Sequence, residues 1–319
     1  MSVAVCLLIY SFAVATLAPS VLLRLTRAGT VPRLGVIAWL AAMVSVVATW
    51  VTASAFLVVS ITRNWRRPGR LATACFAALR RLAEGESGPV LQAGLVVLAV
   101  GVTGALGLLG WRLARSLGRA AAGGRGHAER ARVIGRRIPG VDAVVLDAPE
   151  RAAYCVAGRP DTIVVTSAAL DALTDRHLQA VLAHERAHLA GRHHFVLAFA
   201  RALAAAIPWS ALFSTGARQI ARLLEMAADD AAARSHGPQT LLDALLALSL
   251  GARAPLGAVA ATGTDVLARA ERLAAPSAVR NRWRSRLLLT ATTLLMVGGP
   301  LIPAVLAAAG ATWCYSGVG

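Results

Sequence analysis

Val181-Leu182-Ala183-His184-Glu185-Arg186-Ala187-His188-Leu189-Ala190 carries two histidines four residues apart, with a glutamate directly after the first. On an α-helix, residues four apart lie roughly 40° from each other around the axis and one turn apart along it. Two imidazoles so placed can grip one metal ion, and the intervening glutamate lies on the adjoining flank, where it can activate a water. The preceding Leu178-Gln179-Ala180-Val181-Leu182-Ala183 favours a helix, and Asp175 near its start complements the positive end of the helix dipole. The motif is therefore expected on a helix.

Two histidines alone do not make a hydrolytic centre. Further on, Arg222-Leu223-Leu224-Glu225-Met226-Ala227-Ala228-Asp229-Asp230 offers Glu225 and Asp229 one turn apart on one face. His184, His188 and Glu225 would hold zinc with a fourth position open, as a catalytic site requires. A carboxylate behind a ligating histidine fixes its tautomer, and Asp229 is expected in that place. His236 or Arg234, soon after this segment, are the candidates for stabilising an oxyanion.

Composition adds a separate constraint. The chain of 319 residues is 57% hydrophobic, with mean hydropathy +0.61. A membrane span needs about 20 apolar residues, and four runs qualify: 3–23, 34–61, 90–111 and 287–309. The first has no basic residue before it and Arg24 and Arg27 after it, flanks that fit a span better than a cleaved leader. Trp65, Trp111, Trp283 and Trp313 mark expected interfaces. The chain contains no lysine, so orientation rests on arginine. Arg280, Arg282, Arg284 and Arg286 crowd the start of the last run, which places the segment before it in the cytoplasm and both termini outside. The segment 62–88 disagrees: it would lie outside yet holds Arg63, Arg66, Arg67, Arg70, Arg80 and Arg81. Either its 71–82 portion lies on a leaflet as an amphipathic helix or the second and third spans are misdrawn.

The expected domains follow: an N-terminal membrane region 1–111, a cytoplasmic domain 112–285 entered through an Arg/Gly-rich linker 112–140, and a C-terminal span with a short tail over 286–319. Strands are expected at 143–146, 153–156 and 162–166, with a turn at Gly158-Arg159-Pro160-Asp161. An exposed edge of that sheet could pair with an extended peptide, or the sheet could simply pack on the motif helix. The apolar stretch 195–213 lies between the two halves of the metal motif. If it crossed the bilayer, Glu225 would be stranded from His184 and His188. It is read either as a hairpin dipping into the membrane surface or as an apolar helix of the catalytic domain.

A net charge of +17 raises the question of nucleic acid. The arginines are scattered among acidic residues and span edges with no aromatic platform, so no direct nucleic-acid partner is expected, and anionic lipid headgroups are the better match. Cys6, Cys75, Cys155 and Cys314 have no zinc-ligand spacing. A disulfide among Cys6, Cys75 and Cys314 is permitted by the topology, but free thiols in apolar surroundings are the preferred reading.

Three spans, V-x-x-H-E-x-x-H, a later E-x-x-A-D and a final span together resemble the BlaR/MecR-type membrane metallopeptidases, which are gluzincin-like. Pro160-Asp161-Thr162-Ile163-Val164-Val165-Thr166-Ser167 is similar to the strand before the motif helix in that family and in the HtpX-type membrane proteases. The resemblance implies a mainly α membrane protein of about four transmembrane helices with an inserted α+β zincin-like metalloprotease domain. It implies one zinc ion held by His184, His188 and Glu225, Glu185 as base, and Asp229 as the carboxylate behind a ligand. The implied activity is endopeptidase cleavage of a cytoplasmic or membrane-proximal protein, such as a transcriptional repressor in a signalling pathway. A membrane quality-control protease and a non-catalytic signalling scaffold remain as alternatives. The beta-lactam sensors of the family carry a penicillin-binding domain after the last span; about ten residues follow it here, so direct antibiotic sensing is not expected.

Overall fold

A computed structural model of the chain describes residues 3–63, 88–139, 142–249, 259–275 and 279–301. The expected amphipathic segment 71–82, Trp65, Trp313, Cys75 and Cys314 lie outside these residues. The fold is mostly helical, with one small mixed sheet.

The first two helices are α1 (Val3–Thr26) and α2 (Pro32–Arg63), antiparallel partners joined by a short turn. Their hydroxyls are kept out of the apolar surroundings by bonding back to the helix: Ser11 Oγ donates to Leu8 O at 2.8 Å, and Thr26 Oγ1 to Leu22 O at 2.7 Å. Across the pair, Trp50 Nε1 donates to Ser11 Oγ at 3.2 Å. Outward-facing Leu8, Ile9, Phe12 and Leu17 are exposed, a surface suited to lipid rather than water.

By length and hydropathy three helices are candidates to cross a membrane: Cys6–Thr26, Pro32–Phe56 and Val97–Ile134. The last belongs to α3 (Gly88–Ile134), a single helix of 47 residues. This departs from the expected linker at 112–140. Gly123, Gly124 and Gly126 read as breakers, but the Ala and Arg residues around them are strong helix formers, and a helix already nucleated in the apolar part propagates through them. Trp111 is exposed on this helix with the Arg115 guanidinium over its ring, 5.1 Å from the centroid.

The sheet comprises β1 (Arg136–Arg137), β2 (Val144–Leu146), β3 (Ala153–Val156) and β4 (Thr162–Thr166), in the order β1-β2-β4-β3. β2 and β4 are parallel, with Val144 opposite Val164. β3 runs antiparallel to β4, with Ala153 opposite Val165 and Val156 opposite Thr162. β4 is buried along its whole length, which explains its continuous Ile-Val-Val run. Gly158 N donates to Asp161 Oδ1 at 3.0 Å in the turn between β3 and β4.

Six helices follow: α4 (Ser167–Ala172), α5 (Asp175–Ala190), α6 (His193–Ala206), α7 (Ala211–His236), α8 (Pro238–Ser249) and α9 (Val259–Ala274), then α10 (Val279–Gly298). The stretch 195–213 is thus most of α6, a turn and the start of α7. α6 packs on α3 and α7 and buries Ala200, Ala202 and Leu203, and it does not separate the two motif halves. The main apolar cluster joins Leu22, Trp39 and Met43 of the first pair to Phe213, Ile220 and Leu223 of α7 and to Leu289 of α10. Tyr10 Oη donates to Met296 O at 2.6 Å, tying α10 to α1. The run expected to span at 287–309 begins in α10 and continues beyond the described residues.

Candidate metal centre

The motif helix α5 starts where Thr174 caps it, its side chain accepting from His177 N, and ends at Gly191. Leu178 and Leu182 bury themselves against Ile163 and Val165 of β4, each contributing about 1.5–3 kcal/mol of apolar burial. Another face brings Ala180 against Ala232 of α7 and Leu273 of α9. With those two faces pinned, His184 and His188 must point at the C-terminal half of α7, where Glu225 and Asp229 lie.

The three expected donors come together. His184 Nε2 and His188 Nε2 are 3.0 Å apart, and each is 3.5 Å from an oxygen of Glu225, Oε2 and Oε1 respectively. One ligand atom from each of the three lies within 4.8 Å of the other two. A tetrahedral zinc site with bonds of about 2.0–2.1 Å has edges of about 3.3–3.4 Å, and the separations observed bracket that value. Two imidazoles and a carboxylate are also the donor types zinc takes. The residues therefore fit the ion. Both histidine side chains are largely buried, whereas the Glu225 side chain is 41% exposed, so the cluster opens to solvent on its side.

Behind the donors, Asp229 is fully buried with Oδ1 3.1 Å from His184 Nδ1. The approach is oblique and falls short of hydrogen-bond alignment, but the charge is close enough to favour a proton on Nδ1 and leave Nε2 free. Asp229 is itself held by Arg269 of α9, whose Nε and Nη2 donate to the two carboxylate oxygens at 2.8 and 2.7 Å. Arg269 Nη1 also stands 3.2 Å from Glu225 Oε2. This bidentate pair is the strong form of the Arg–carboxylate contact, and the sequence reading missed it. Between Asp230 and Arg269 lie 38 residues, and nothing in them distinguishes this arginine from the chain's other arginines.

His193 also reaches the cluster. Gly191 and the left-handed Arg192 (φ 49°) turn the chain so that His193 Nδ1 sits 2.9 Å from His188 Nδ1. A Cβ on Gly191 would strike the His193 ring, so glycine is needed there. If His188 offers Nε2 to a metal, its Nδ1 carries hydrogen and donates to His193. His194 Nε2, in contrast, is buried without a partner among the described residues.

The electrostatics follow from burial and pairing. Burial alone would raise Glu225, but bonds from His184 and His188 and the Arg269 charge outweigh it and hold the carboxyl well below the usual range. Asp229 is lowered in the same way, with Arg269 and His184 overcoming desolvation. His184 is raised to about 9: desolvation opposes its charge, and Asp229 and Glu225 more than compensate. His193 falls to about 4 through burial and the nearby His188, which keeps it neutral and able to accept. Glu185 is raised by burial, against the pull of the two histidines. Its neighbour is Cys155 on the edge strand β3, a free thiol pushed up to about 12 by burial and by Glu185. The edge strand thus lies directly beside the candidate base.

His236 and Arg234 are not part of this cluster. His236 lies eleven residues beyond Glu225 on the same helix, about 16 Å along its axis, and Arg234 is exposed and faces a different cavity.

Residues 125–277 match the model of Peptidase family M48. The matched segment contains β1 to β4 and every member of the cluster, and it supports a metallopeptidase function. Peptidases of family M48 are zinc metalloproteases, in keeping with the donor set. The M48 match does not single out the BlaR/MecR type. No curated protein and no solved structure matches the chain.

Proposed function

We propose that the chain is a membrane-bound zinc metalloendopeptidase in which His184, His188 and Glu225 hold the ion, Glu185 is the base, and Asp229 and Arg269 position the donors. The observation that carries this reading is the set of donor separations, near those of a tetrahedron, with a buried carboxylate beside it. When bound, the ion would polarise the scissile carbonyl and lower the pKa of water toward about 7. Glu185, its carboxylate shielded by burial, takes the proton from the attacking water and passes it to the leaving amine. The main chain of β3 offers an edge on which an extended peptide aligns beside Glu185. Arg269 holds Glu225 and Asp229 of α7, so that neither swings away when a substrate enters.

The substrate is a protein at the cytoplasmic or membrane-proximal face, with both termini of the chain outside. Its regulatory form, cleavage of a transcriptional repressor, rests on the motif resemblance; its quality-control form is the rival. Purified protein is expected to contain about one zinc per chain and to cleave casein or itself. Glu185→Gln should keep the zinc and lose at least about 10²-fold in turnover. Undiminished cleavage by that variant removes Glu185 from the mechanism. Proteomic comparison of cells carrying either form separates the two substrates: one accumulating regulator against many uncut membrane proteins.

A further inference from the structure

Where the α1–α2 turn and α10 approach α7 and α9, a cavity of about 780 Å³ opens on the face of α7 that carries Arg222, Met226, Asp230 and Arg234, about 100° around the helix from Glu225 and Asp229. Its wall is basic. The α1–α2 turn contributes Arg27 and Arg33, and the start of α10 contributes Arg282 and Arg286. α7 adds Arg222 and Arg234, and α9 adds Arg272. Against these seven arginines stand two carboxylates, Asp230 and Glu271, an excess of five positive charges.

Two of the arginines hold the cavity in shape. Arg222 donates to the carbonyls of Thr26 and Arg27 at 2.9 and 3.2 Å, and Arg272 donates to Gly29 O at 2.9 Å and pairs with Asp230. They fasten the turn to α7 and α9, and Arg27, Arg33, Arg234 and Arg286 line the cavity so formed.

Apolar surface begins immediately beyond that rim. Leu287 and Leu288 follow Arg286 and are exposed, as is Ile37 one turn after Arg33, and Val31, Pro32 and Leu273 line the cavity itself. These exposed side chains belong to helices long and apolar enough to cross a membrane, or to the start of α10 packed beside them. The cavity therefore stands at one end of the apolar bundle, with cationic groups at the level of helix ends and bare hydrocarbon next to them. A free phosphate would use only the first feature. A ligand with an anionic phosphate head and acyl chains uses both.

We propose that this cavity is a binding site for the headgroup of an anionic phospholipid, read by Arg33, Arg234 and Arg286 as the lipid's phosphate and by the adjoining apolar faces as its chains. None of the metal donors lines this cavity, and its ligand does not depend on the peptidase reading. The test therefore uses full-length Glu185→Gln protein stripped of metal and purified in neutral detergent. Short-chain phosphatidylglycerol is titrated against it, with native mass spectrometry counting bound lipid and a thermal melt following the fold; short-chain phosphatidylcholine and inorganic phosphate are the comparison ligands. Phosphatidylglycerol is expected to bind about tenfold or more tightly than phosphatidylcholine. The Arg33→Gln/Arg234→Gln/Arg286→Gln variant should lose about tenfold or more of that affinity, while Arg176→Gln, on the exposed first turn of α5, should change nothing. If the triple variant fails to fold, Arg286→Gln alone carries the comparison, since Arg286 is exposed at the start of its helix. Equal binding of the two lipids, or no loss in the arginine variants, overturns the site. Saturation by inorganic phosphate at the same concentration as lipid would make the ligand a soluble phosphate and overturn the lipid assignment.

Discussion

Asp229 is the residue on which the donor set hangs, because it touches a histidine on one side and takes both arms of Arg269 on the other. Replacing Arg269 by Met leaves a buried carboxylate without its cation, a loss of about 3–5 kcal/mol, to be read in thermal melts of the metal-free protein. The pair also sets a pH dependence. The Asp229 carboxyl is lowered in the folded protein, so its stabilisation is complete above the ordinary aspartate value of about 4 and disappears as pH falls through the lowered one. Metal-free wild type should therefore lose its advantage over Asp229→Asn on acidification; a gap that stays constant from pH 7 to pH 3 would contradict the pairing. Of this site the sequence disclosed what helical spacing can carry. His184, Glu185, His188, Glu225 and Asp229 follow from two motifs, because each motif fixes angles on its own helix. Arg269 and His193 depend on where a separate helix and a tight turn bring them, and no periodicity encodes that. His236 failed as a candidate for the converse reason: nearness along a helix is distance along its axis.

Among the elements, α7 does two jobs at once. Its N-terminal half is apolar on the side facing α1 and α2, and its C-terminal half presents carboxylates to α5. The join demands close approach at Gly216, where an added Cβ would come within 3.0 Å of Met43 Sδ and 3.1 Å of the Trp39 ring. Met43 can yield; the fully buried indole has nowhere to go. Gly216→Ala is expected to cost about 1–3 kcal/mol, seen as a lower melting temperature in detergent, with the zinc content per folded chain unchanged. Three of the four strands were legible from their β-branched runs and the Gly-Arg-Pro-Asp turn; β1, two arginines within the expected linker, was not. The helix through 112–134 was not, since glycines were weighed as punctuation while the continuity of α3 from its apolar part was given no weight.

For the molecule as a whole, the apolar cluster crosses both boundaries drawn on the sequence, at 111 and at 286. Leu212, Phe213, Ile220 and Leu223 of the segment 112–285 share one apolar cluster with α1 and α2, which pack on α7 and are in turn covered by α10. A fragment limited to 112–285 would bare that surface, and we expect it to aggregate and to yield no monomeric zinc-loaded species by size exclusion with metal analysis; a soluble, zinc-loaded monomer would show that the segment folds unaided. The long apolar helices were legible because hydrocarbon-length apolar runs are a property of composition, whereas the shared core was not, since it depends on which faces meet. One further consequence comes from the length of α3. At 47 residues it measures about 70 Å, against about 30 Å for the hydrocarbon layer, so on the membrane-bound reading proposed above some 40 Å of helix lies outside that layer, packed on α6 and ending beside the strands. A tilt of about 10° at the lipid end sweeps the far end through about 7 Å by simple leverage. On the same reading bilayer thickness becomes a mechanical input to the β3 edge beside Glu185, and turnover should differ between vesicles made from short and long acyl chains.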